Sequence, residues 1–229
     1  MWAIARATLL IICLSQFAGA QTGSLALYTG KADGLNDSAF RSAQQELDRL
    51  LVPAGIDIAW RSLATRTPDE QFDRVVVVSF DGSCSLPDAA APSGKFQDSR
   101  ITLADSSVSN GSVLPFIRVD CTNLLHILSP ALRPMSSKER NTAFGRALGR
   151  VMAHELYHIV GETTSHQTIG VAKASLSVQD LIGVSLDFDT ASLTQMRPTL
   201  PPAAPVSLAR SYTRPARDLV PGEEKVREP

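Results

Sequence analysis

Charge of one sign is missing from this 229-residue chain: 22 Lys and Arg stand against 23 Asp and Glu, for a formal net charge of -1. Such a balance offers no electrostatic footprint to DNA, RNA or an anionic lipid surface, so no nucleic-acid partner is expected. Long apolar runs are missing too. The stretch Ala7 to Leu14 is shorter than the roughly 20 residues a helix needs to cross a bilayer, and no later segment is long enough, so no membrane insertion is expected. Cysteine is scarce, at three residues, and so is histidine, at four. What is present is ordinary: 44% hydrophobic and 20% charged residues suit one globular domain with a buried core rather than a disordered chain or a coiled coil.

The first twenty residues read as an address. Met1 to Ala20 has one early positive charge at Arg6, the apolar run, and a small-residue ending at Ala18, Gly19 and Ala20. That is the pattern of a secretory signal peptide cut after Ala20, which places the mature chain in a periplasm or outside the cell. Cys13 is preceded by Ile12, where a lipid-anchored leader would carry a small residue. Cleavage leaves Cys84 and Cys121 in a compartment that permits a disulfide, and one bridge between them is expected. The first strand is expected within a few residues of the cut, leaving no room for an inhibitory propeptide.

Three regions follow: a leader over 1–20, a catalytic-sized domain over 21–197, and a tail over 198–229 that holds seven of the 14 prolines and reads as disordered or loosely draped. The domain opens as β-α-β-β. Ser24 to Thr29 reads as a strand, and Asn36 or Asp37 can cap a helix to about Leu51, with Phe40, Leu47, Leu50 and Leu51 on one face and Pro53 with Gly55 stopping it. Ile56 to Ser62 alternates as a half-buried strand. Val75 to Phe80 is almost continuously apolar and β-branched, as a strand buried on both faces would be. From Asp81 to Asn110 the chain reads as loop, with a short strand at Ser99 to Ala104. Ser112 to Asp120 reads as an edge strand, because Pro115 lacks the donor that a central strand needs.

The chemistry is concentrated in one segment. His154, Glu155, Leu156, Tyr157 and His158 spell H-E-x-x-H. Four residues along a helix turn by about 400°, so both imidazoles lie on one face, one turn apart, and can grip a single metal ion. Glu155 is offset by about 100° and can reach a water on that metal without ligating it. A helix here has independent support: Ser136 and Glu139 form a capping box, and Ala143, Ala147 and Val151 precede the histidines on their face. Arg146 and Arg150 fall on the other side. Gly145 and Gly149 would let a neighbouring element come close. Gly161 can end the helix in a left-handed conformation. His166 follows by a short loop, and three histidines leave a tetrahedral zinc one open position, as a catalytic site requires.

The run from His154 to His166, H-E-L-Y-H-I-V-G-E-T-T-S-H, resembles the extended zinc motif of the metzincin metalloendopeptidases, H-E-x-x-H-x-x-G-x-x-H. The resemblance covers 13 residues, 154 to 166. It implies an α+β fold of zincin type: a small twisted sheet with an N-terminal helix packed beside a long active-site helix. It also implies that His154, His158 and His166 bind Zn2+, that Glu155 is the general base, and that the substrate is a protein or peptide. The sequence departs from the pattern in having four residues between Gly161 and the third histidine, so that Thr164 stands at the usual ligand position. Glu162 is a rival third ligand. Met196, the only methionine after the motif, is the candidate for the methionine turn of the family.

Other residues have plainer readings. His126, within Leu124 to Leu128, reads as a core or boundary histidine, and Tyr157 as a packing residue. Lys173, Asp180 and Asp187 read as solvated surface. In the expected mechanism, Glu155 takes a proton from the attacking water and returns it to the leaving amine, while the strand Ser112 to Asp120 aligns the substrate. Two other functions fit the same residues: a secreted zinc-binding module without peptidase activity, and a zinc hydrolase of a non-protein amide. Nothing in the sequence points to a particular oligomeric state.

Overall fold

The structure is a computed structural model and describes residues 23–67, 69–86, 101–197 and 206–207. The leader lies outside the described residues, as does the tail apart from Val206–Ser207. The helices and strands follow in the order β1 Gly23–Thr29, α1 Asp37–Leu51, β2 Ile56–Ser62, β3 Gln71–Phe72, β4 Arg74–Asp81, β5 Ala104–Ser109, β6 Ser112–Asp120, α2 Cys121–Leu132, α3 Ser137–Val160, α4 Val178–Ile182, α5 Thr190–Met196 and β7 Val206–Ser207. The fold is α+β. Five strands form one mixed sheet in the order β2-β1-β4-β6-β5, in which β5 alone runs antiparallel to its neighbour. β3 pairs antiparallel with β7 in a separate two-stranded ribbon.

Side chains alternate across a strand, so one face of the sheet can be read from residues two apart. Leu25 and Leu27, Val76 and Val78, and Ile117 and Val119 are all buried. They share a core with Ala39, Ala43, Leu47 and Leu50 of α1 and with Phe144, Ala147, Leu148 and Val151 of α3. On the other face of β4, Val75 and Val77 are only half-buried and Ser79 is exposed. The expectation of burial on both faces is therefore corrected: helices cover one side of the sheet.

The α1 boundaries follow from local chemistry. Asn36 Oδ1 accepts the Ala39 N–H at 2.9 Å as the N-cap, and Gly55 takes φ 77° after the helical turn Val52–Ala54. Phe40 is half-buried and meets Trp60 edge-on, with ring centroids 5.6 Å apart. α1 and α3 cross at two glycines. A Cβ on Gly145 would come within 2.2 Å of the Ala39 carbonyl oxygen, and one on Gly149 within 2.8 Å of that of Ala43. Helix propensity is surrendered at both positions for close approach, as the sequence suggested.

Three sequence expectations need correction here. Of the strand expected at Ser99 to Ala104, Ser99 and Arg100 lie outside the described residues, and β5 begins at Ala104 and runs to Ser109. It is one arm of a hairpin whose turn is Asn110 and Gly111, with φ of 50° and 80°. Two left-handed residues in a row make the turn whose twist suits a two-residue β-hairpin, and Asn-Gly is its usual sequence. The strand Ser112–Asp120 has the expected bounds but lies inside the sheet, between β4 and β5. Pro115 is tolerated because the register slips there: Ser106 pairs with Ile117 and Val108 with Val113, so Leu114, Pro115 and Phe116 of β6 stand opposite Ser107 alone. Pairing with β4 begins only at Phe116. The helix α2 was not foreseen. Asp120 caps it by accepting the Asn123 N–H at 2.8 Å, and Leu124, Leu125, Leu128 and Leu132 are buried in the core.

Cys84 and Cys121 are bridged, as expected, with Cα atoms 5.0 Å apart. The bridge ties the chain just past β4 to the first residue of α2, and it indicates a non-cytoplasmic environment. Among the described residues, no helix is long and apolar enough to cross a membrane.

Candidate metal site

α3 presents the motif. It starts at the foreseen capping box, in which Ser136 and Glu139 each bond the other's backbone N–H, and runs 24 residues to Val160. Its last three turns are buried almost without interruption, and this packing fixes the directions in which His154, Glu155 and His158 project.

The histidines converge. Among the described residues, His154, His158 and His166 form the group whose ligand atoms lie close enough to hold a metal ion, all within 4.8 Å of one another. The His154 Nδ1 is 2.9 Å from the Val171 carbonyl oxygen, and the His158 Nδ1 is 2.8 Å from that of Thr163. A carbonyl can only accept, so both Nδ1 atoms carry the proton and both Nε2 atoms of the neutral rings are left with a lone pair. Those two Nε2 atoms face each other at 3.2 Å. Two lone pairs at that range repel unless a cation lies between them. Nitrogens on a tetrahedral ion with bonds of about 2.05 Å stand about 3.3 Å apart, so the pair fits such an ion. The exposed His166 ring closes the third side, with its centroid 4.7 Å from that of His158 and 5.2 Å from that of His154.

Burial lowers the pKa of both His154 and His158, which keeps them neutral and able to ligate at neutral pH. Burial also raises the Glu155 carboxyl above its ordinary value, although hydrogen bonds from Ser106 and the nearby His158 pull it down. These groups line a cleft of about 560 Å³. Ile127, Val151 and Leu176 form apolar wall and Lys173 adds a cation.

The helix ends differently from the sequence expectation. Gly161 is right-handed, at φ −76°, and Glu162 takes the left-handed position at φ 48°. Thr163 N–H then bonds the His158 carbonyl at 3.1 Å, closing the wide turn typical of a helix end. A Cβ on Gly161 would lie 3.1 Å from Gln195 Cγ and 2.7 Å from the Tyr157 carbonyl oxygen, so crowding accounts for the glycine. The Glu162 carboxylate meets Arg74 at 3.0 Å and is not among the converging ligand atoms, whereas the His166 ring is.

Met196 is buried at the end of α5, in a helix and not a turn. The segment that touches the site is Gly170 to Ala172: Val171 and Ala172 are wholly buried, and Val171 supplies the carbonyl to His154. Gly170, at φ 74°, makes this turn possible, and a Cβ there would meet the Asp187 carbonyl oxygen at 2.5 Å.

Several plain readings change. Arg150 is wholly buried, with Nε 2.7 Å from Glu46 Oε1 and Nη1 2.6 Å from the Asp180 carbonyl oxygen. Arg146 Nη1 donates to the Ile182 carbonyl at 2.7 Å. The Arg146 and Arg150 side of α3 is therefore covered by α1 and α4, and these arginines tie down the chain that follows the motif. Lys173 and Asp180 pair at 2.7 Å and are half-buried, whereas Asp187 is exposed, as read, and pairs with Arg49 at the surface. Tyr157 is packing, as read, with its ring centroid 5.3 Å from that of His158 and its hydroxyl accepting from Gln167. His126 is a half-buried residue of α2 and not part of the cluster.

Three contributors were not foreseen. Ser106 lines the cleft with Glu155, and the Val171 and Thr163 carbonyls orient the His154 and His158 rings. The Asn-Gly turn would have set the β5 register and pointed to Ser106; backbone carbonyls leave no mark in a sequence.

Compared with known protein families, curated proteins and solved structures, the chain matches none.

Proposed function

We propose that this chain is a secreted zinc-dependent metallopeptidase of metzincin type, acting on proteins or peptides. The observation that carries this reading is the convergence of three imidazoles in an open cleft with Glu155 beside them. Two of those imidazoles are locked in the tautomer that aims Nε2 inward. His154, His158 and His166 would hold the ion. Nitrogen donors of this kind suit zinc better than the oxygen-preferring calcium or magnesium.

When bound, zinc polarises a carbonyl and acidifies water. The chain's own part is proton transfer. Glu155, kept above the ordinary carboxylate range by burial, is poised to accept a proton from the attacking water and return it to the departing amine. An extended peptide would align on β5, whose outer side is the edge of the described sheet next to α3. This replaces the strand Ser112–Asp120 as the aligning element.

The test is metal analysis of purified protein together with digestion of casein and a peptide library. Stoichiometric zinc with hydrolysis that Glu155→Gln abolishes supports the reading. Zinc without hydrolysis would turn it towards a binding module or a hydrolase of a non-protein amide, and absence of metal binding would end it.

A further inference from the structure

The three converging rings are not held alike. His154 and His158 each give their Nδ1–H to a backbone carbonyl, at 2.9 and 2.8 Å, whereas among the described residues no hydrogen bond holds the exposed His166 ring. The third ring is therefore aimed by the main chain that carries it, and that chain is tied down at the next residue. From Thr164 to Ile169 only Gln167 is half-buried, and the others are exposed. The Gln167 N–H donates to the Ala172 carbonyl at 2.9 Å, and Gln167 bridges to Lys173, so the chain between them closes on itself. Its side-chain amide donates to the Tyr157 hydroxyl at 3.2 Å, on a buried ring of α3. The first contact fastens the chain at His166 to the segment that presents the Val171 carbonyl to His154. The second fastens it to the helix that carries His154 and His158.

We propose that Gln167 is a positioning residue that holds the His166 ring against the other two, with Tyr157 as its anchor; its effect on a metal rests on the zinc site proposed above. The four residues between Gly161 and His166 give that spacer room to move. Thr163 removes the freedom at the near end, through His158, and Gln167 removes it at the far end. Opening the far tie would leave the Tyr157 hydroxyl without its donor inside the packed part of α3, which penalises the open form. Tyr157 thus does more than pack: it is the point on the helix to which the third ring is referred.

Zinc affinity is read by titrating the metal-free protein in competition with a fluorescent chelator. Gln167→Ala and Tyr157→Phe should each weaken zinc binding by about tenfold to a hundredfold, as loss of a group that orients a ligand does. Both together should weaken it by no more than about twofold beyond either alone, because they remove one contact. In a His166→Ala background, Gln167→Ala should change the affinity by less than about twofold, since the ring it positions is gone. Amide exchange in the metal-free protein reads the tie without zinc: Tyr157→Phe should speed exchange at the Gln167 N–H by at least about tenfold, while Ile117 and Val119 in β6 keep their rates. Wild-type zinc affinity in the two single variants overturns the proposal. So does an equal loss from Gln167→Ala with and without His166, which would mean general damage to the site, and so does unchanged exchange at Gln167. If the exchange arm succeeds while the wild type binds no zinc, the tie stands and the zinc reading alone fails; hydrolysis enters neither measurement.

Discussion

Arg150 and Glu46 form a buried ion pair one helical turn before His154, with the guanidinium wholly out of solvent and its Nε 2.7 Å from the carboxylate. Burial pushes the Glu46 carboxyl up, but hydrogen bonds from Arg49 and Arg150 outweigh it and hold the pKa below its ordinary value. Removing one partner strands the other charge, so Glu46→Ala should lose about 3 to 5 kcal/mol in urea unfolding. Arg150→Met should cost less, since Glu46 keeps Arg49.

Gly145 sets helix propensity against packing. Alanine is favoured over glycine in a helix by roughly 1 kcal/mol, yet its Cβ would strike the Ala39 carbonyl. Gly145→Ala should therefore destabilise, by about 1 to 3 kcal/mol net, with a lower thermal midpoint.

The third ligand can be settled by metal content. His154→Ala and His158→Ala should purify without zinc, His166→Ala should be depleted, and Glu162→Ala should carry a normal load. Depletion in Glu162→Ala with a normal load in His166→Ala would reassign the ligand. The measurement is elemental analysis after dialysis.

Asp180 links acidity to stability near the site. Hydrogen bonds from Lys173 and the Ser177 hydroxyl lower its carboxyl to about 2 from an ordinary 3.8. The folded form thus binds protons less readily than the unfolded one, and the stabilisation is complete above about pH 4 and fades between about pH 4 and pH 2. Denaturation midpoints should fall more over that window in the wild type than in Asp180→Asn.

The disulfide closes a span of 37 residues, which in a chain-entropy account corresponds to about 4 kcal/mol. Reduction or Cys84→Ala with Cys121→Ala should lower stability by that order, read by urea unfolding with and without reductant.

The legibility of this sequence was uneven for physical reasons. α3 could be read because its cap, its apolar face and the histidine spacing share one period and agree. β1, α1 and β2 could be read for the same cause. Pro115 misled because proline reports only a missing donor, and a register slip satisfies that constraint as well as an edge does. Arg150 misled because a charged residue reads as exposed until its partner is known, and Glu46 lies 104 residues away. The left-handed residue after α3 was assigned to Gly161, whose small size instead answers crowding from Gln195, a contact that local sequence does not announce.

Thr163 grips His158 twice, its N–H on the backbone carbonyl and its own carbonyl on the ring. Stopping the helix and steering an imidazole are thus one event, and the spacer to His166 is counted from Thr163 rather than from Gly161. Lengthening the chain between Thr163 and His166 leaves the His158 ring and its carbonyl partner in place, whereas an insertion before Thr163 would unseat that ring together with the helix end. A spacer longer than the familiar motif is therefore admissible on one side of this residue and ruinous on the other.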